Sequence, residues 1–491
     1  MKAVHRRSSG ARARPRAAER VELRIEELAA GGAGVGRLSG EVVFVPATAP
    51  GDLVEVELDR SARPARGKLL RVLSPSDDRI APPCRFADAC GGCDWMHVRV
   101  EAQQAAHERI VRQAIARATS LSELPPVRVH PALRPLGYRS RARLLARAER
   151  GEVRVGYRAP RAHAVVAIDR CLVLGDEIAP VVGELPGLLR GAAGEGDILL
   201  ARGASGRPVV ELLWRGQLPP AVWRRLDERT SGGAWAGARV TLDGAREAAS
   251  FGDPRPVILG ADGLPLLLAP GGFGQPSEEG AAVLARRAVA LAHLGSSRPP
   301  HVLELFAGSG TLSVLLARGA ALAASAATGE GAATGEGAAT GEGAATGEGA
   351  ATAAAAAAEG AAPGAAAPAS FTAVELAAEA VACLRQNLGS RGLAGKAVEA
   401  DADQAPIPAR TDVVVLDPPR GGAPGAARAI AASSARVVVY VSCDPATLAR
   451  DLGVLVRGGF EITDVEVVEL FPQTSHIESI VRLSRSRRAA R

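Results

Sequence analysis

Aromatic side chains are scarce in this sequence: they make up 3% of it, with three Tyr and four Trp among 491 residues. So few flat rings leave little for stacking on planar ligands, and any affinity for a polyanion has to be mainly electrostatic. Cysteine is also sparse. Six in so long a chain are too few for a secreted disulfide scaffold, and their clustering suggests ligation or catalysis. No apolar run reaches the roughly 18 residues of a membrane span, and no apolar segment near the start could form the core of a signal peptide. These absences lead us to expect a cytoplasmic, monomeric protein with no membrane partner.

The length has room for roughly three domains. The formal charge of +6 is unevenly spread. Residues 1–20 carry Lys2, Arg6, Arg7, Arg12, Arg14, Arg16 and Arg20 against Glu19 alone, which reads as a disordered basic arm suited to a polyanion. The C-terminal RLSRSRRAAR repeats the theme.

From 21 to 78 the chain reads as short strands. Val21, Leu23 and Ile25 alternate with polar residues, then EVVFV, DLVEVEL and KLLRVL follow between Gly and Pro punctuation. Five short strands suggest a small closed barrel of the oligonucleotide-binding type. The stretch resembles a TRAM domain, an RNA-binding barrel.

Next comes CRFADACGGCDWMH, with Cys84, Cys90 and Cys93 in C-x5-C-x2-C spacing, and Cys171 in AIDRCLVL is a candidate fourth ligand. Thiolates so spaced bind Zn2+ or an iron-sulfur cluster, and spacing alone does not separate the two. CGGC followed by an aromatic residue and His, with a distant I-x-x-C, resembles the [4Fe-4S] motif of the RNA uracil-5-methyltransferase family. The resemblance implies a structural cluster ahead of zinc.

Residues 79–270 read as this cysteine segment and a mostly β central domain behind one helix. In YRSRARLLAR, Arg139, Arg141 and Arg143 share one face of a strand and suit phosphate contact, or form an ordinary solvated face.

Residues 271–491 change to an α/β pattern. HVLELFAGSGTLSVLLA gives a strand, a Gly308-Ser309-Gly310 turn and a helix from about Thr311, a signal that suits NAD or S-adenosylmethionine. The acidic residue expected about 20 positions on, at the tip of the second strand, is Glu375 in FTAVEL, much further away. AATGEG occurs four times from Ala326 to Gly349, inside an Ala/Gly-rich stretch. Removing 322–369, which reads as a disordered insert with too little apolar side chain to bury, restores the spacing. Further strands end at Asp401, at Asp417 in LDPPR and at Cys443 in VVVYVSCDP, and FEITDVEVVELFPQTSHIESIVRL supplies two more. The count fits a seven-stranded, Rossmann-like methyltransferase sheet.

DPPR lacks the aromatic residue that amine-directed nucleic-acid methyltransferases place after the prolines. A cysteine on the next strand suits C5 of uracil, a carbon too weakly nucleophilic to take a methyl group without covalent help. In the family this chain resembles, Cys443 is the nucleophile and Glu478, within FPQTSHIE, the base. Gln275, Phe306, Thr311, Glu375, Asp401 and Asp417 then fall at the S-adenosylmethionine site. Ser277 stands where the family usually has Asn, and Thr311 where Asn or Gly is common. The barrel and cysteine set resemble the 23S rRNA branch, with a tRNA substrate as the alternative. A degenerate RNA-binding protein without activity is the reading from another class.

Overall fold

Along Glu19–Leu28 (β1) charged residues alternate with apolar ones, and Leu23 and Ile25 turn inwards. With β2 (Gly34–Leu38), β3 (Glu41–Val45), β4 (Leu53–Asp59) and β5 (Ala65–Ser74) this strand closes a barrel of order β1-β2-β3-β5-β4. Val43, Val45, Val54 and Val56 complete its core, and closure leaves no sheet edge. The five-stranded barrel expected from 21 to 78 is therefore present. It starts at Glu19 rather than Val21, because Glu19 and Arg20 pair with Leu58 and Glu57 of β4.

The computed structural model describes residues 19–294, 300–328 and 371–485. Residues 1–18 of the expected basic arm, 486–491 of the basic C-terminus and 329–369 of the expected insert, with Ser370 after it, lie outside the described residues. The described chain divides into two units, one comprising the residues up to 87 with 93–106 and 473–475, the other the remainder. In the first unit Trp95 Nε1 donates to Gly32 O (3.0 Å), and Ser475 N donates to Asp94 Oδ1 (2.8 Å). Among the described residues no helix is long and apolar enough to cross a membrane.

Helix α1 spans Val100–Thr119 and is followed by β6 (Val127–His130). The second unit holds a seven-stranded sheet built from β7 (Arg141–Glu149), β8 (Glu152–Arg158), β9 (Val165–Ala167), β10 (Ala193–Arg202), β11 (Pro208–Gln217), β12 (Gly237–Leu242) and β13 (Ala249–Gly252). Helices α2 (Val181–Leu188) and α3 (Pro220–Ser231) accompany it, and β14 (Val257–Leu259) with β15 (Pro265–Leu267) forms a hairpin. Arg143 lies on the exposed face of β7 as period two requires. Within that row Arg143 Nη2 pairs with Asp197 (2.8 Å), and further along the strand Arg147 pairs with Glu195 (2.9 Å), both partners on neighbouring β10. Arg141 Nη2 donates to Gly272 O at 2.6 Å.

The C-terminal layer follows as α4 (Glu278–Ala292), β16 (Val302–Leu305), α5 (Ser313–Thr328), β17 (Phe371–Glu375), α6 (Ala378–Gly389), β18 (Lys396–Glu399), β19 (Val413–Leu416), α7 (Pro424–Ala432), β20 (Val437–Ser442), α8 (Pro445–Arg457), β21 (Glu461–Val468) and β22 (Glu478–Ser484). Strands β16 and β19 are buried at every position, as a parallel sheet covered on both faces demands. The sheet order is β18-β17-β16-β19-β20-β22-β21-β6. Seven strands come from the expected α/β region; the eighth, β6, comes from the region assigned to the central domain and pairs parallel with β21. Buried Glu466 ties it there, accepting from Arg128 Nη1 and His130 Nε2, each at 2.8 Å, and from Arg287 Nη2 at 2.7 Å.

Two boundaries also move. Ile258, Leu266 and Leu268 of the hairpin pack into the same core as Val302, Val415 and Val439, so this layer begins before 271. Helix α5 continues to Thr328, seven residues into the insert expected to start at Leu322, because an Ala-rich sequence prolongs a helix readily.

Candidate active site

The parallel strands β16, β19 and β20 run in register, with Leu305 level with Leu416 and Leu416 with Tyr440, so their carboxyl ends meet at one edge of the sheet. Ligands of open α/β sheets sit at this edge. Strand β22 enters antiparallel, pairing Ser479 with Ser442. One step beyond that pair, Cys443 and Glu478 fall opposite each other. Asp444 then caps α8, its Oδ1 accepting from Ala446 N (3.0 Å) and Thr447 N (2.9 Å), and Pro445 takes the first helical turn. The chain thus turns sharply at the cysteine and leaves its thiol half-buried at the sheet edge.

Burial pushes the Cys443 thiol up to about 11, with Glu478 and Asp417 adding to the rise and Arg420 opposing it. Glu478 is 2% exposed. Burial and the neighbouring Asp417 carboxylate hold its carboxyl well above the usual range, and its Oε1 has no hydrogen-bond partner. Asp417 keeps some residue surface, but its carboxyl group is enclosed and burial raises it to about 7; the Gln275 amide, donating to Oδ2 at 3.3 Å, opposes that rise. Three acidic groups of raised pKa thus lie close enough to act on one another, an arrangement found where proton transfers are made.

The expected cofactor residues gather on the same edge. Phe306 follows β16 with a φ of 61°, a left-handed conformation that bulky residues rarely adopt. Gly310, at φ 100°, cannot carry a side chain, since a Cβ would fall 2.8 Å from Leu384 Cδ1. Glu375 at the tip of β17 accepts from Gly308 N and Ala377 N, both at 2.9 Å, which binds the acidic residue to the glycine turn. Thr311 is half-buried in that turn, and α5 starts two residues after it. Asp401 is exposed and accepts from Asp403 N (3.0 Å), just past the point where Ala400 N bonds Glu375 O (3.0 Å). Ser277, in place of the family's Asn, caps α4 by accepting from Gly280 N at 3.0 Å.

One residue escaped the sequence reading. Glu304 is buried inside β16, accepts from Ser313 Oγ at 2.5 Å, and is raised to about 8 by burial, with Asp417 and Glu375 adding to it. A lone carboxylate in the four-residue strand VLEL was the available signal, because buried charge needs a reason.

Of the four candidate metal ligands, Cys84 and Cys93 belong to the first unit and Cys90 and Cys171 to the second. Among the described residues no group of three or more His, Cys, Asp or Glu is gathered so as to hold a metal ion. Within the second unit, Gly92 N donates to Cys90 Sγ (3.4 Å). Burial, followed by Cys171 and then Cys90 among other groups, keeps the Tyr157 hydroxyl well above its usual range, and a hydrogen bond to Cys171 is part of that rise. A backbone N–H and a buried hydroxyl that both point to thiols fit a sulfur-rich group at this place.

Comparison with known proteins adds the family. A family described as tRNA (Uracil-5-)-methyltransferase matches residues 409–486, and the TRAM domain matches 18–70. The 23S rRNA (uracil(1939)-C(5))-methyltransferase of Chromohalobacter salexigens is 33% identical over 98% of this chain and 92% of its own length. The chain belongs to the RNA (uracil-5-)-methyltransferase family. This methyltransferase is also 31% identical to the Pseudomonas putida protein of the same name, over 93% of the chain and 92% of that relative. It is 30% identical to an uncharacterized RNA methyltransferase of Gloeobacter violaceus, over 95% and 96%. Its fold matches the Pyrococcus abyssi tRNA (uracil-54, C5)-methyltransferase, crystallised with S-adenosyl-L-homocysteine, at a TM-score of 0.63 and 20% identity, over 94% of this chain and 99% of that one.

Proposed function

We propose that this methyltransferase transfers a methyl group from S-adenosylmethionine to C5 of a uridine in 23S rRNA, through a transient bond between Cys443 Sγ and C6 of the base. The observation that carries the reading is the opposition of Cys443 and Glu478 across β20 and β22, beside the buried Asp417. The two rRNA-named relatives matched over nearly their whole length favour rRNA over tRNA.

The chemistry follows from these side chains. The Cys443 thiolate adds to C6 and the electron pair of the C5–C6 double bond moves toward the C4 carbonyl, so that C5 becomes nucleophilic. S-adenosylmethionine supplies the electrophilic methyl group to that carbon. The Glu478 carboxylate then takes the C5 proton; the C–H pair re-forms the C5–C6 double bond and the C6–S bond breaks to return the thiolate. Asp417, held by Gln275, positions the base or the cofactor. Gln275, Phe306, Thr311, Glu375 and Asp401 line the cofactor side. Since C5 and C6 are shielded in stacked RNA, the target uridine has to be splayed into the pocket.

The test is methyl transfer to transcripts of 23S rRNA and of tRNA, with 5-methyluridine read by mass spectrometry. The expected outcome is product in the 23S transcript alone. Product in tRNA alone overturns the substrate, and product in neither overturns the activity.

Cys84, Cys90, Cys93 and Cys171 are proposed to hold a [4Fe-4S] cluster that serves as a structural cross-link and takes no part in methyl transfer. The Gly92 N–H donated to Cys90 Sγ and the buried Tyr157 hydroxyl beside Cys171 support it. Protein purified without oxygen is expected to be brown, with iron and sulfide in equal amounts; a colourless, zinc-containing protein rules this out.

A further inference from the structure

Arg420 is an exposed residue whose backbone is unusually well fixed. Thr447 Oγ1 donates to Arg420 O (3.1 Å), Arg450 Nη2 donates to Gly421 O (2.9 Å), and Ala423 N donates to Asp451 Oδ2 (2.8 Å). Fully buried Asp451 also takes the Tyr440 hydroxyl (2.7 Å) and Arg450 Nε (2.8 Å). Gly422, at φ 71°, leaves no room for a side chain, since a Cβ would lie 2.5 Å from Arg450 Nη2. The loop after Asp417 is therefore stitched to the first two turns of α8, the helix that starts just after Cys443.

The side chain of an exposed arginine would ordinarily sample many rotamers. Here its Nη2 rests 3.1 Å from His476 Nδ1 and 3.3 Å from Nε2. The imidazole is braced edge-on by Phe471, with ring centroids 5.6 Å apart at 62°. A guanidinium only donates, so the ring nitrogen it meets has to accept, as a neutral imidazole can and an imidazolium cannot. His476 stands two residues before Glu478 and is otherwise unused by the chemistry above. The contact thus joins the loop that leads into the base to the loop that follows Asp417.

We infer that His476 is a positioning residue: it holds the Arg420 guanidinium toward Cys443, so that a fixed positive charge faces the thiolate and the covalent intermediate. This rests on the covalent reading of Cys443. Among the described residues the charged groups that bear on the thiol are Glu478, Asp417 and Arg420; of these Arg420 favours the thiolate, as does a backbone hydrogen bond at Cys443 itself. A charge in a set place acts on the thiol without having to reorganise during the reaction, whereas a mobile, solvated one is weakened by distance and screening.

The test follows alkylation of Cys443 by iodoacetamide as a function of pH, read on the Cys443 peptide by mass spectrometry, alongside methyl-transfer kinetics. His476→Ala is expected to move the alkylation profile to higher pH and to lower kcat on the order of tenfold, as for loss of one charge-assisted contact, with KM for S-adenosylmethionine unchanged. His476→Asn, whose side-chain oxygen can still accept from Arg420, is expected to recover part of both, and it serves as the folded control should the alanine variant unfold. Because His476 acts through Arg420, adding His476→Ala to Arg420→Gln is expected to cost nothing further. An unmoved pH profile in both His476 variants, or additive losses in the double variant, overturns the inference. Failure of Cys443 to form any RNA adduct in the otherwise unaltered enzyme marks instead the failure of the covalent reading.

Discussion

Cys443→Ala is expected to abolish methyl transfer, by on the order of 10^4-fold or more, and with it the covalent complex formed on 23S rRNA containing 5-fluorouracil. The size follows from the substrate: without a thiolate at C6, no side chain in the pocket can make C5 nucleophilic. Fluorine in place of the C5 hydrogen leaves Glu478 nothing to remove, so the wild-type adduct stays intact and is visible as a species that survives denaturation. An adduct that persists in Cys443→Ala sinks the mechanism. The pH dependence has a definite sign. The thiol is pushed up to about 11, so the unreactive protonated form dominates at neutral pH. Below that pKa each pH unit raises the thiolate fraction about tenfold, and alkylation of the free enzyme at Cys443 should rise between pH 7 and 9 accordingly. A rate that is flat over this range contradicts a thiol held up by burial.

Much of this site was legible in the sequence because its signals are local. The apolar run VVVYVS, ending at a cysteine followed by Asp-Pro, announces a buried strand, a sharp turn and a capped helix, and β20, Cys443 and α8 are those elements. Glu375 could be found once the repeat was set aside, because the acidic tip of a second strand has a chemical partner in the glycine turn, and Gly308 N does bond it. What escaped is non-local. Strand β6 is four residues long and pairs with a strand from the far end of the chain, so no window of sequence reveals it. The arginine row could be placed on a strand face, but the pairing of Arg143 with Asp197 could not, because Asp197 sits on another strand. Glu304 was hidden for the opposite reason: its neighbours are so apolar that the strand was read as uniform, while its proton is held by burial near Asp417 and Glu375. Likewise nothing in FPQTSHIE says that His476 meets Arg420; only the return of β22 beside β20 brings the two loops together.

Glu478→Gln separates adduct formation from its resolution. In the resting pocket the Glu478 carboxyl is held well above its usual range by burial and by Asp417. A glutamine there keeps the size and shape of the side chain and removes its capacity to carry a negative charge and accept a proton, and the fold is expected to tolerate it. Removing the carboxylate also removes one of the groups that raise the Cys443 thiol, so alkylation of Cys443 near pH 7 should become faster than in the wild type. Addition to C6 and methyl transfer to C5 need no base at 478. Removal of the C5 proton does, and an amide cannot accept it. The variant is therefore expected to stall with methylated, cysteine-bound uridine on ordinary 23S rRNA, without any fluorine, while turnover falls on the order of 10^3-fold. Mass spectrometry of the trapped complex should show the protein, the RNA and one added methyl group. Turnover near the wild-type level assigns the proton to another base, with Asp417 as the nearest group able to take that role, and a complex lacking the methyl group places the defect before methyl transfer.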